Sequence, residues 1–245
     1  MIEAVFISDL HLHPEEKAIT ERFNQFIAWA KTHTKAVYIL GDFFHVWPGD
    51  DALDEWSLGI AEQLASLKKQ GVALFFMPGN RDFLLGERFA KLADMVQLSE
   101  PTVIVLGDER VLLVHGDRYC TRDTGHQWLR KLTRNRWFPA LFLKLSLSLR
   151  ARLVNTVRNH SQSNRSKPSA WMDVVAVDLL RHMIQSNVNI VIHGHTHQPG
   201  LTTHEQDRNI LKQYVLSDWD DNPLLLCYDK SEGLYFDLFK GCCYD

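Results

Sequence analysis

The sequence predicts an α/β fold, and three observations carry that expectation. Short apolar, β-branched runs alternate with stretches of helical periodicity from the N-terminus to about residue 115. These runs break off at Asp, Asn or His residues, usually beside a glycine, which is where open α/β sheets gather their ligands. At 245 residues, 45% hydrophobic and 23% charged, the chain suits one domain with a substantial core, with or without an inserted subdomain. No repeat period and no apolar run of bilayer length interrupts that picture.

Taken in order, residues 4–7 form a short apolar strand that runs into Ser8-Asp9-Leu10-His11. Asp9 and His11 lie two apart, a spacing that points both side chains to one side of an extended segment, so a carboxylate and an imidazole can hold one ion. Phe23, Phe26, Ile27 and Ala30 recur at helical spacing within residues 19–33, as expected of a helix covering a sheet. Residues 36–40 read as a buried strand ending in Gly41-Asp42, and a carboxylate there could bridge two ions. A helix over 53–69 and a strand over 72–77 follow, the latter ending in Pro78-Gly79-Asn80-Arg81-Asp82. Asn80 offers a neutral oxygen to a hard cation, although a turn role for Asp42 or Asn80 taken singly is as plausible. After a helix near 86–92, strands at 102–106 and 110–114 flank a Gly-Asp-Glu turn, and the second ends in His115-Gly116-Asp117.

Near the C-terminal third, residues 171–184 read as a helix, and an apolar strand then stops at His193-Gly194-His195-Thr196-His197. Gly194 permits a tight turn that aims His195 and His197 at a common point, and neutral imidazole is a common ligand for divalent transition metals. With 12 histidines in the chain, the pattern alone is also compatible with structural histidines at a strand end. Runs at 210–216, 224–228 and 234–239 read as strands that extend a second sheet and bring no obvious chemistry.

Residues 119–170 break this rhythm and form the candidate insertion, leaving 1–118 and 171–245 as the core domain. They carry eleven Lys or Arg and one acid, Asp123, a local charge of +10, whereas the rest of the chain has 16 basic and 29 acidic residues. Such a basic island on an acidic protein suits a surface that meets phosphates or an anionic membrane. Its apolar run from Trp137 to Leu149 mixes periodicities and does not decide between helix and strand. A satellite core with a solvated basic rim and an amphipathic lid are both compatible with it. The polar stretch 159–168 is rich in donors and suits phosphate or sugar contacts. A nucleic-acid-binding role for the island is disfavoured, because it holds Leu and Phe in place of a spaced aromatic platform and leaves the ligand-type residues unexplained. The cysteines (Cys120, Cys227, Cys242, Cys243) lack zinc-type spacing, and reduced thiols are expected. The N-terminus has neither a basic start nor a small-residue cleavage site, as expected of a cytoplasmic protein.

Together, Asp9, His11, Asp42, Asn80, His115, His195 and His197 are seven oxygen or nitrogen ligands without a cysteine. Such a set fits two divalent ions such as Mn(II), with Mg(II), Fe(II) or Zn(II) also possible. In this order, the blocks Asp9-x-His11, Gly41-Asp42, Gly79-Asn80, His115 and Gly194-His195-x-His197 resemble the signature of the calcineurin-like metallophosphoesterases across nearly the whole chain. The resemblance implies a four-layer αββα sandwich with a helical, basic and apolar lid. It also implies one ion on Asp9, His11, Asp42 and His197, and another on Asp42, Asn80, His115 and His195, with Asp42 bridging. Catalytic roles for Asp42, Asn80, Arg81, His115 and His195 follow from it.

Many phosphatases of that family carry a histidine after the asparagine of the third block, and here Arg81 stands there. Its fork can hold a diphosphate but cannot readily act as a general acid. Asn80-Arg81-Asp82-Phe83-Leu84-Leu85-Gly86, Ser8-Asp9-Leu10-His11-Leu12 and the insertion are similar to the branch that cleaves UDP-2,3-diacylglucosamine. That likeness implies attack at the α-phosphate and substrate contacts from Asn80, Arg81, Asp123, Asn164, Lys167 and His195, with His160 and Ser161 as weaker candidates. It implies a peripheral enzyme on the cytoplasmic face of the bacterial inner membrane that meets an anionic lipid surface. Neither a nucleic acid nor an obligate protein partner is expected. The rival within the same chemistry is a dinuclear phosphodiesterase or nucleotide pyrophosphatase acting on a soluble substrate.

Overall fold

In the computed structural model, residues 1–135, 137–163, 173–206 and 209–239 are described. Asn164 and Lys167 lie outside them, as do the side chains of His160 and Ser161.

The chain forms strand β1 (Ala4–Ile7), helix α1 (Lys17–His33), β2 (Ala36–Leu40), α2 (Glu55–Lys69), β3 (Ala73–Met77), α3 (Glu87–Leu92) and the short β4 (Val96–Gln97). A hairpin of β5 (Thr102–Leu106) and β6 (Glu109–Leu113) precedes three helices, α4 (Thr124–Thr133), α5 (Trp137–Phe142) and α6 (Leu147–Ser163). Helix α7 (Ala176–Gln185) and strands β7 (Ile190–His193), β8 (Gly200–Gln206), β9 (Asn209–Val215), β10 (Leu224–Asp229) and β11 (Gly233–Leu238) complete the fold.

Two sheets result, in the orders β11-β10-β1-β2-β3-β4 and β5-β6-β7-β9-β8. One face of the first sheet (Val5, Ile7, Val37, Ile39, Leu74, Phe76) packs on α1, α2 and α3 through Phe23, Phe26, Ile60, Leu64 and Phe89. Its other face (Phe6, Leu40, Met77, Leu226) meets Val111, Leu113, Ile192 and Tyr214 of the second sheet. The far side of the second sheet (Leu112, Val191, Leu211) is closed by Leu179 and Met183 of α7. The order of layers is helix, sheet, sheet, helix, and both faces of each central strand are apolar because both are covered.

Parallel register positions the site. Leu40 lies opposite Met77 and Ile7 opposite Ile39, so β1, β2 and β3 end together. In the second sheet Leu113 lies opposite Ile192, so β6 and β7 also end together. The segments beginning at Asp9, Asp42, Asn80, His115 and His195 all leave from these carboxyl edges.

Several elements depart from the sequence reading. The inserted segment is helical through α4, α5 and α6, and its periodicity was mixed because the short α5 and the longer α6 meet in a turn near residues 143–146. Tyr119 packs with Leu179 and Met183 in the core, and the helical segment leaves the core at Asp123. Helix α7 starts at Ala176, five residues later than expected, because Val175 is held extended (φ −79°, ψ 104°) by its N–H bond to the Tyr119 carbonyl at 2.9 Å. Of the three C-terminal strands expected in the second sheet, β9 joins it; β10 pairs antiparallel with β1 (Val5 opposite Cys227), so β10 and β11 extend the first. Strand β8 went unread because its residues, largely exposed at a sheet edge, are mostly polar.

Candidate metal centre

Five of the seven predicted ligands sit in an unusual backbone turn at the end of a strand. Asp9, His11, Asp42, His195 and His197 have φ of 55°, 52°, 50°, 73° and 55°, in the left-handed region that Asp and His tolerate better than most residues. Close approach of the turns explains two glycines: a Cβ on Gly194 would overlap the Asp9 carboxylate and the Ser8 hydroxyl, and one on Gly79 would overlap Asp42.

The side chains gather into two clusters. Asp9, His11 and His197 form one, and Asp42, His115 and His195 the other, with their ligand atoms within 4.8 Å of one another in each. His195 and His197 thus aim at two neighbouring points and not at one. In the first cluster His11 Nε2 lies 3.4 Å from His197 Nε2, and Asp9 Oδ1 lies 3.4 Å from the same nitrogen. Asp9 Oδ2 is held by the Ser8 hydroxyl (2.6 Å) and the His195 N–H (2.8 Å), and Asp218 Oδ2 steadies His197 Nδ1 at 3.2 Å. In the second cluster His115 Nε2 lies 3.0 Å from Asn80 Oδ1 and 3.5 Å from Asp42 Oδ1. His193, the first histidine of the alternating set, belongs to neither: it is fully buried, with Nδ1 2.8 Å from the Gly194 carbonyl and Nε2 2.9 Å from the Gln213 side-chain nitrogen.

These residues fit a pair of divalent cations. The Leu40 carbonyl, 2.9 Å from His115 Nδ1, keeps the proton on that nitrogen, so neutral His115 presents the lone pair of Nε2 to two oxygen acceptors. Lone pairs converging in a buried space call for a proton or a cation between them. Without a cation the proton serves. Burial disfavours charge on His115, but the Asp42, Asp9 and Asp117 carboxylates outweigh it and push its pKa up to about 9. Burial, abetted by Asp82 and Asp9, raises Asp42 to about 7 despite the opposing pull of His115. Asp9 is held well below the usual carboxylate range because its imidazole neighbours outweigh the cost of burial. Burial, then Arg81, brings His11 down to about 2, and burial, then His115, brings His195 down to about 3, so both are neutral, the form that ligates. Asp9 Oδ1 and His11 Nδ1 are buried without a hydrogen-bond partner.

The loops carrying Asp42 and Asn80 are pinned by a residue with no ligand role. Fully buried Asp82 accepts from Gly79 N (2.7 Å) with one oxygen and from Phe43 N (2.7 Å) and Phe44 N (3.3 Å) with the other. Arg81, whose side chain is one-third exposed, donates its backbone N–H to Asp42 Oδ1 at 2.9 Å and sets its Nε 3.4 Å from Asp42 Oδ2.

Beside this centre opens a cavity of about 260 Å³. Asn80, Arg81, Asp117, His126, Arg130 and Arg134 are among its polar lining residues and Phe83, Leu129, Phe138, Phe142 and Leu153 among its apolar ones, so the inserted helices form much of its wall. Asp123 begins α4, where its Oδ1 accepts the His126 N–H at 3.0 Å as the N-cap. Sequence reading missed Asp82, His126, Arg130, Arg134 and Asp218 as contributors. For Asp82 the signal was present in the Asn-Arg-Asp turn, whereas the others act through partners far away in the chain. No helix among the described residues is long and apolar enough to cross a membrane. Cys120 and Cys227 are both buried.

Comparison with known proteins gives a consistent picture. Residues 3–199 match the family described as calcineurin-like phosphoesterase. A UDP-2,3-diacylglucosamine hydrolase of Stutzerimonas stutzeri (strain A1501) is 41% identical over 228 residues, covering 93% of this chain and 95% of that protein. One of Proteus mirabilis (strain HI4320) is 42% identical over 235 residues, covering 95% and 98%. Among solved structures, a dimetal phosphatase from Danio rerio aligns with a TM-score of 0.49 at 14% identity, covering 93% of this chain and 92% of that one.

Proposed function

The chain belongs to the calcineurin-like phosphoesterase family, and from that premise we propose that it is a metal-dependent hydrolase that cleaves the diphosphate bond of UDP-2,3-diacylglucosamine to UMP and 2,3-diacylglucosamine 1-phosphate. One observation carries the reading: next to two clusters of metal-ligand type lies a cavity that shares Asn80 and Arg81 with the centre and is also lined by Phe83, Phe138, Phe142 and Leu153. A diphosphate joined to an acylated sugar needs polar and apolar surfaces side by side. Near-full-length identity of about 40% to proteins named for this hydrolysis supports the same substrate.

Asp9, His11, Asp42 and His197 would hold one ion and Asp42, Asn80, His115 and His195 the other, Asp42 being shared; Mn(II) would suit the mixed oxygen and imidazole set. Such a pair lowers the pKa of a water and meets the charge on the phosphoryl oxygens during in-line attack. Arg81 holds the diphosphate through its guanidinium fork and fixes the α-phosphate toward Asp42. Asn80, His195, Asp123, Asn164 and Lys167 complete the polar contacts, and no side chain is needed as a nucleophile. Residues 119–170 act as the cover for the acyl chains, on a core of 1–118 and 171–245. Each enclosed methylene adds about 0.8 kcal/mol of affinity. Exposed Trp128, Trp137 and Leu141 beside Lys131 and Lys144 form the face that meets an anionic lipid surface, on the cytoplasmic side of the inner membrane.

Hydrolysis in ¹⁸O-water with Mn(II) and the UDP-diacyl sugar tests the reaction. Label in UMP is the expected outcome. Label in the lipid phosphate overturns the site of attack, and equal turnover of a deacylated substrate overturns the role given to the cover.

A further inference from the structure

Helix α4 and its C-cap residue Arg134 reach the second ligand cluster at three points. His126, Arg130 and Arg134 lie four residues apart, so they point the same way. The His126 ring stacks on His195, with centroids 5.8 Å apart. Arg130 donates from Nε to Asp117 Oδ2 at 3.1 Å and from Nη2 to Glu100 Oε2 at 2.7 Å, and both carboxylates are shut away from solvent. The other oxygen of Glu100 accepts the backbone N–H of His115 at 3.3 Å. Arg134 donates from Nη2 to the carbonyls of Pro78 (3.1 Å) and Gly79 (2.8 Å), immediately before Asn80. His195, His115 and Asn80 are therefore each backed by α4, directly or through one intermediary. The other cluster is backed by Ser8 and Asp218.

We propose that α4 is a positioning element for the Asp42–Asn80–His115–His195 cluster, in which Arg130 and Arg134 are positioning residues that set the metal affinity of that cluster alone. The first helix of the inserted segment is then part of the metal centre as well as part of the cover. Guanidinium forks held by carboxylates and carbonyls fix direction as well as distance, and partners in this position typically account for 10–100-fold in metal affinity. This inference rests on the two-ion reading above.

The test uses the full chain stripped with a chelator and titrated with Mn(II), with equivalents counted by elemental analysis, affinities by calorimetry and folding by circular dichroism. Wild type is expected to hold two equivalents. Folded Arg130→Met and Arg134→Met are expected to keep one at wild-type affinity and to bind the other 10–100-fold more weakly. Arg130→Lys should recover part of the loss. Arg150→Met supplies the contrast, since buried Arg150 also fastens the inserted segment to the core, through the Pro48 carbonyl and Asp51, away from both clusters; it should keep both equivalents. The proposal is overturned if folded Arg130→Met and Arg134→Met bind both equivalents as wild type does, or if Arg150→Met weakens the same equivalent as much. Should Arg130→Met fail to fold, Arg134→Met and Arg130→Lys decide by the same criteria. Fewer than two equivalents in wild type would instead overturn the two-ion reading.

Discussion

Asp82→Asn should destabilise the protein by about 2–4 kcal/mol, although the substitution changes no metal ligand and almost no volume. The carboxylate accepts three backbone N–H groups, one on Oδ1 and two on Oδ2, in a fully buried position. An amide has a single acceptor oxygen. If that oxygen keeps Phe43 and Phe44, its NH₂ faces the Gly79 N–H, and an unsatisfied buried donor costs about 1–3 kcal/mol. The bonds that survive lose the charge on their acceptor, which is worth about 1 kcal/mol apiece. Against this, burial already raises the pKa of Asp82, so removing its charge returns part of the loss. For a chain of this length, 1 kcal/mol moves Tm by about 2–4 °C, which places the variant roughly 5–15 °C below wild type. Urea unfolding of the chelated protein, with Tm by calorimetry, measures it. A shift below about 0.5 kcal/mol at unchanged m-value would refute the account of how the two loops are held.

Three further outcomes follow from the same geometry. Filling the cation sites should stabilise the fold by about 2.7 kcal/mol per site at a hundredfold excess over Kd. Asp9→Asn should bind fewer Mn(II) equivalents, and an unchanged thermal shift and stoichiometry would count against the first cluster. Burial opposes ionisation of Asp117, but His126, His115 and Arg130 hold its carboxyl well below the usual range. Its contribution to stability is therefore complete above the unfolded pKa of about 3.9 and is lost as pH falls below that toward the folded value. Asp117→Asn should flatten the acid limb of ΔG against pH, and a slope identical to wild type would sink that reading. Phe138, stacked on Phe142 at 5.1 Å, lines the cavity. Losing contact with two acyl methylenes at about 0.8 kcal/mol each should lower kcat/KM of Phe138→Ala by roughly tenfold or more on the diacyl substrate. The same variant should leave a deacylated substrate unaffected, and equal losses on both would argue against acyl contact.

How much of this was legible depended on the range over which each feature is encoded. Strands β1, β2, β3 and β7 were readable because an apolar run followed by a polar turn is a local signal, and their carboxyl ends located Asp9, Asp42, Asn80 and His195. Which sheet β10 and β11 join was not readable, because the pairing of Val5 with Cys227 is a choice made between distant segments. The same holds for Arg130, whose partner Glu100 is 30 residues away, and for Asp218 beside His197. Leu145, Leu147 and Leu149 mimic strand alternation only because a helix begins at Leu147 and the preceding residues are a turn. His193 was read within the alternating set, whereas its imidazole bonds to the Gly194 carbonyl and Gln213.

The backbone at the ligands explains why these residue types, and not merely these charges, occur there. Five ligands in the left-handed region cost about 1 kcal/mol each, a sum comparable to the lower end of the 5–15 kcal/mol that holds a domain together. The turns persist because they are cross-tied: Asp9 N to the Gly41 carbonyl (3.1 Å), His11 N to that of Asp42 (3.0 Å), Gly194 N to that of His115 (2.9 Å) and Leu216 N to that of His193 (2.7 Å). Each tie joins one strand end to the next, so the ligands are placed relative to one another by main chain before any cation is present. Asp and His satisfy both demands at once, since each ligates and each tolerates positive φ. Glutamate at position 9 or 42 would keep the charge but carry its carboxylate one methylene further, out of place for the backbone N–H groups of His195 and Arg81 that Asp9 and Asp42 accept from. The chemistry of the centre and the strain of its turns are therefore met by the same few residue types, and conservative exchanges at these positions should cost more than their charge suggests.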